Sequence, residues 1–217
     1  MRYDVIFRWG SSLPLGQAPK VINRRQAILN SSIKVNMLKL FKHYNVCMPA
    51  FYLNTEFSLI TKFPVIVRYK SHTQGSGFYV CNNREELMRY NTPDYHALEY
   101  IEKVKEYRVF LWKGTVLEVN RKTREDEDGA IPERDKLIRN FKHGWWFKVV
   151  KYYDPKIETE AIKALNAVSL DFGAVDLCID INNNVKIFEI NSAPGLIARK
   201  ADIVANTILE SIEDEEE

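Results

Sequence analysis

Apolar positions along the chain recur with two periods, and the switches between them outline the elements. Tyr3–Phe7 alternates as a short strand. After a loop rich in Pro and Gly (Leu13–Pro19), spacing turns helical. Ser31 or Ser32 is placed to cap a helix with Ile33, Met37, Leu38, Phe41 and Tyr44 inward and Lys34, Lys39 and Lys42 outward. Asn45 suits its end, and Pro49 bars continuation. Phe63–Tyr69 and Phe78–Cys81 read as strands around a loop of small residues, and Asn82–Leu87 carries a helix start. Tyr107–Trp112 and Thr115–Val119 form a hairpin about Lys113-Gly114. Pro155–Ser169 has helical spacing, with Ile157, Ala161, Ala164, Leu165 and Val168 on one face. A last helix turns Ile197, Ala201, Val204, Ala205 and Ile208 inward. Strands and helices in this mixture predict an α+β fold.

Gly173–Gly195 stands out from this pattern. It predicts two strands joined at Asn182-Asn183, a pair that tolerates positive φ in a two-residue loop. That loop pairs Ile181 with Asn184 and Asp180 with Val185. It brings Asp176 opposite Glu189 and Ala174 opposite Asn191. Facing residues in an antiparallel pair lie about 5 Å apart, and like charges there repel. Two acids and an amide oxygen are hard donors that suit Mg²⁺ held jointly with phosphates. On alternation alone, a wet surface face explains the same residues equally well.

Composition narrows the class. Of the 217 residues 46% are apolar and 28% charged, ordinary for a globular protein. A net charge of +2 gives no general attraction to nucleic acid or anionic lipid. Cys47, Cys81 and Cys178 lie far apart, without metal-ligand spacing, and are expected as reduced, buried thiols of a cytoplasmic protein. No run is long and apolar enough to predict export or membrane insertion. Residues 213–217 are acidic and expected as a solvated tail. In Arg8-Trp9-Gly10-Ser11-Ser12, the reading with Trp9 packed and Arg8 solvated competes with a substrate pocket. Nothing in the pattern sets an oligomeric state.

Asp176 followed by Glu189-x-Asn191-x-x-Pro194-Gly195 resembles the metal signature of ATP-grasp carboxylate–amine ligases. The spacing is similar to that of the D-alanine–D-alanine ligases and of ligases that add glutamate to a ribosomal protein. Further motifs follow in family order across residues 63–195. The loop after Phe63–Tyr69 resembles the phosphate-covering loop, which implies nucleotide contacts from Arg68, Lys70, Gln74, Gly75, Ser76 and Gly77. Arg68 stands where a lysine is usual, and so offers phosphate a planar fork. Glu99, Tyr100 and Ile101 resemble the hinge whose backbone meets adenine, and Glu106 the acid on the ribose. Arg121 or Lys122, with Arg139 and Asn140, resembles the catalytic cluster beside the transferred phosphate. By composition alone these segments are solvated charged connectors.

The resemblance implies two α+β subdomains with antiparallel sheets gripping ATP and one or two Mg²⁺, with Mn²⁺ able to substitute. The expected division is a short N-terminal segment (1–50), a phosphate-loop half (51–105) and a metal half (106–212). The implied reaction joins a small-molecule or peptide carboxylate to an amine through an acylphosphate, with no membrane or nucleic-acid partner. Phage-encoded proteins of this superfamily have similar Arg-Trp-Gly-Ser openings, which implies such a source. Two rivals stand beside it: a nucleotide-binding module without ligase activity, and an ATP-grasp kinase.

Overall fold

A computed structural model describes residues 5–14, 18, 20–70, 78–125, 131–132, 137, 139–196 and 198–213. Two short strands, β1 (Val5–Phe7) and β2 (Lys20–Ile22), pair in parallel. Helices α1 (Arg25–Ser32) and α2 (Lys34–His43) follow. A four-stranded antiparallel sheet has the order β3 (Phe51–Leu53), β6 (Tyr95–Glu99), β4 (Val65–Tyr69), β5 (Phe78–Cys81), with α3 (Arg84–Met88) beside it. A five-stranded antiparallel sheet has the order β11 (Val185–Asn191), β10 (Phe172–Asp180), β7 (Lys103–Trp112), β8 (Thr115–Thr123), β9 (Trp146–Val149). Helices α4 (Pro155–Val168) and α5 (Ala198–Glu213) complete the fold.

The larger sheet is buried unequally on its two faces. Val109, Leu111, Val175, Leu177 and Ile187 point to one face, where α1, α2 and α4 supply Ile28, Met37, Phe41, Ile157 and Leu165. Each such side chain contributes roughly 1.5–3 kcal/mol by leaving water. The opposite face is split. At one end Phe110, Trp112, Phe172 and Ala174 pack against Ile22, Val204 and Ile208. Two residues further along β7, alternation brings Arg108 and then Glu106 to that same face. The charged half therefore begins where the cover provided by β2 and α5 stops. A separate core, with Phe57, Val65, Val67, Leu87 and Ala97, backs the smaller sheet.

Local chemistry explains the ends of α4 and the C-terminus of α2. Asp154 caps α4 by accepting from Lys156 N–H, Pro155 takes the first helical position, and Ser169 closes the helix at φ 62°. Asn45, at φ 54°, ends α2 in a Schellman arrangement: Val46 N–H donates to the Phe41 carbonyl and Asn45 N–H to that of Lys42.

Several expectations are corrected. Neither Ser31 nor Ser32 caps α2. Both belong to α1, a weakly patterned helix that periodicity misses, and Ser31 Oγ donates to the Ile28 carbonyl. Ile33 forms the joint, and it and Tyr44 are exposed. Arg8 is buried and donates to the Ser11 and Leu13 carbonyls, so it shapes its loop instead of facing solvent. Cys47 is exposed, whereas Cys81 and Cys178 are buried.

The hairpin turn also differs. Ile179, not Asp180, faces Val185. Asp180 accepts from the N–H groups of Asn182 and Asn184 and so holds a longer loop. The expected pairing of Asp176 with Glu189 is nevertheless found, because Phe188 bulges out of the ladder and restores the register.

Candidate active site

The register sets Asp176 opposite Glu189 and Ala174 opposite Asn191. Asn191 Nδ2 lies 3.4 Å from an oxygen of each acid, so the three side chains meet on one face. Each carboxylate has its own cation. Arg108 grips Asp176 through two bonds of 2.6 and 2.7 Å, and Lys34 pairs with Glu189. The Lys34 ammonium holds the Glu189 carboxyl down at about 2. Burial pushes Asp176 up against the pull of Arg108, with the Glu189 charge adding to the rise. Turning the Asn191 amide would present its oxygen at the same point, since both orientations share one shape. The trio then offers hard oxygen donors, the set a magnesium ion takes. No group of three or more His, Cys, Asp or Glu with metal-site geometry occurs among the described residues.

A second acid, Glu106, lies deeper. Lys103 Nζ donates to it at 3.1 Å and Lys122 Nζ binds its other oxygen. Burial alone would raise Glu106, but the two ammonium groups outweigh it and hold the carboxyl low. Lys103 also reaches the Leu137 carbonyl at 3.1 Å, and burial lowers its affinity for a proton. Arg139 lies over Trp145, 4.6 Å from the ring centroid, and donates to the Lys103 carbonyl at 2.9 Å. Cys178 is buried near this cluster, and burial pushes its thiol up to about 12, which keeps it protonated.

Two adjoining cavities open between the sheets. Leu38, Ile66, Phe78, Leu98, Ile101 and Phe188 make the apolar part of the first; Arg68, Lys103, Glu106, Lys122, Asp176 and Glu189 make its charged part. The second is polar, lined by Gly10, Ser31, Ser32, Lys34, Lys70 and Asn191 among others. Arg68 and Glu189 line both and stand where they meet. Burial depresses Arg68, and its Nε is buried without a hydrogen-bond partner among the described residues. Such an orphaned donor is costly unless a further group accepts from it. Gly10, at φ 66°, lets the N-terminal loop approach this wall: a Cβ there would come 2.7 Å from Ala193 Cβ.

The structure thus brings together Arg68, Glu99, Tyr100, Ile101, Glu106, Lys122, Arg139, Asp176 and Glu189 at the first cavity, and Lys70 and Asn191 at the second. It does not bring in Arg121 or Asn140. Arg121 alternates to the opposite face of β8, the face of Tyr107 across the ladder. Asn140 caps a 3₁₀ turn by accepting from His143 N–H. Gln74, Gly75, Ser76 and Gly77 lie outside the described residues. Lys34 corrects an expectation: it points into the cleft, 14% exposed, rather than outward. Sequence reasoning also passed over Arg108. Its signal was available, since a charge two residues from Glu106 on the same strand shares that acid's face.

This architecture has known counterparts. A D-alanine–D-alanine ligase from Bacillus anthracis superposes with a TM-score of 0.64 at 14% identity, over 91% of this chain and 73% of that one. The ATP-grasp ligase PsnB, complexed with a phosphomimetic variant of its minimal precursor, Mg and ADP, gives 0.59 at 13% identity, over 82% and 54%. N5-carboxyaminoimidazole ribonucleotide synthetase from Thermotoga maritima gives 0.57 at 13% identity, over 81% and 46%. The chain therefore spans about half the length of the last two. Among curated protein sequences nothing matches. Residues 24–212 match the model of the RimK-like ATP-grasp domain, and since that is most of the chain, the protein belongs to the RimK-like ATP-grasp family.

Proposed function

We propose that the protein is an ATP-dependent, ADP-forming carboxylate–amine ligase. The observation that carries this reading is the junction of the two cavities. There Asp176, Glu189 and Asn191 converge beside Arg68, whose buried Nε has no hydrogen-bond partner among the described residues. The apolar part of the first cavity suits a base, with backbone groups of Glu99–Ile101 at its edge. Glu106 accepts from two lysines yet keeps lone pairs for the ribose hydroxyls, since a carboxylate has about four acceptor sites. Arg68 and Lys70 would hold phosphates. Asp176, Glu189 and Asn191 would hold one or two Mg²⁺, which when bound neutralise charge on the phosphate oxygens.

In the first step a substrate carboxylate oxygen attacks the γ-phosphorus. The bond to the bridging oxygen breaks, ADP leaves, and an acylphosphate remains. An amine then attacks the acyl carbon, phosphate is expelled, and the nitrogen loses a proton. Lys122 and Arg139 supply positive charge near the transfer. No thiol is used, in keeping with a Cys178 that stays protonated. The substrates belong to the small-molecule or peptide class, as the complex of PsnB with its precursor peptide suggests by analogy.

Incubation with MgATP, a panel of acids and hydroxylamine tests this. A ligase releases ADP and yields a hydroxamate from the trapped acylphosphate. ADP release with a stable phosphorylated product would make it a kinase. Binding of MgADP without turnover on any acid would make it a nucleotide-binding module.

A further inference from the structure

One side chain touches two of the cleft's ion pairs without belonging to either. The Phe147 ring lies 4.7 Å from the Arg108 guanidinium carbon and 5.4 Å from the Lys122 ammonium. Arg108 is the cation that grips Asp176, and Lys122 is one of the two that grip Glu106. The register accounts for this. Phe147 faces Lys122 across β8 and β9, and Arg108 lies on β7 opposite Asn120, two residues from Lys122. Alternation then places Phe147, Lys122, Arg108 and Asp176 on one face. The negative face of an aromatic ring attracts cations, and more strongly where water is displaced. Both cations are largely buried: their side chains are 21% and 15% exposed.

We propose that Phe147 is a positioning residue, which sets Arg108 against Asp176 and Lys122 against Glu106 and so aligns the metal side with the nucleotide side. This rests on the reading of Asp176 as a metal ligand and Glu106 as a nucleotide contact. A ring on the edge strand thereby fixes the two acids relative to each other, although they sit on different strands.

Calorimetric titration with MgADP tests the proposal on the whole chain. Phe147→Leu should weaken binding roughly tenfold, the size of a desolvated cation–π contact, and raise the half-saturating Mg²⁺ concentration alongside. Phe147→Trp should stay within about threefold of wild type, because tryptophan offers the best ring face. Incorporating trifluorophenylalanine at 147 keeps the shape but drains the ring's negative face. It should reproduce the leucine loss even if Phe147→Leu does not fold. Leucine or the fluorinated ring binding as wild type, or tryptophan as poor as leucine with equal unliganded melting temperature, overturns the proposal. A wild-type chain that binds no MgADP would instead sink the nucleotide reading on which it rests.

Discussion

Lys34→Met removes the ammonium beside Glu189 while keeping most of the stem, so its effect can be worked out from the ion pair. Glu189 sits at about 2, with Lys34 the largest cause, against an ordinary carboxylate near ~4.3. A gap of roughly two units at about 1.4 kcal/mol each sets a ceiling near ~3 kcal/mol. The Glu189 side chain is 35% exposed, and solvent screening reduces the expected contribution to about 1–2 kcal/mol. A depressed folded-state pKa gives stability that is fully present above the unfolded value and lost as pH falls through the folded one. The wild type should therefore exceed Lys34→Met by about 1–2 kcal/mol from pH 7 to pH 5. The difference should close toward zero by about pH 2. Urea unfolding of both proteins across that range measures it. A difference that stays constant with pH would show that Lys34 acts through packing alone, and no difference at pH 7 would refute the pairing.

Asp176→Asn and Glu189→Gln should each cut Mg²⁺-dependent turnover at least ~100-fold while circular dichroism stays native; near-wild-type turnover in either would remove the metal assignment. Gly10→Ala should destabilise by more than about 1 kcal/mol, since it meets Ala193 at 2.7 Å in a left-handed conformation, and thermal unfolding reads this directly. Leu165→Ala, in the α4 core, should cost about 2–5 kcal/mol in urea unfolding. MgADP at 100 times its Kd should stabilise the wild type by about 2.7 kcal/mol, and much less the Asp176→Asn variant.

What the sequence could disclose was whatever follows from a local period. Strand alternation makes the shared face of Glu189 and Asn191 legible, but the two-residue turn gives a register that is off by one, and Asp176 meets Glu189 only because the Phe188 bulge offsets the longer loop. Asp180 was misread because a side chain bonding backbone N–H groups can hold a longer loop than turn propensity expects. Arg121 and Lys122 are alternatives in the sequence, and the register puts only Lys122 on the face of Glu106. Lys34 was assigned to solvent because a helical wheel knows only an apolar side and its opposite. A side facing a cleft between two sheets looks polar in sequence and is largely buried in the fold. Asn140 was read through family likeness, whereas its spacing to His143 is equally that of a turn cap. Helix α1 escaped because few of its residues are buried, so tertiary contacts decide it more than pattern does.

The displaced Phe188 has a consequence for how the cleft is furnished. In a regular strand only every second side chain could reach a given space, yet Ile187, Phe188 and Glu189 all border the same cavity. One surplus residue thus lets a single strand supply greasy wall and anionic anchor side by side, without recruiting another segment. It also acts as a slip joint: a hairpin tip lengthened or shortened by one residue can be absorbed there, leaving the two acids face to face.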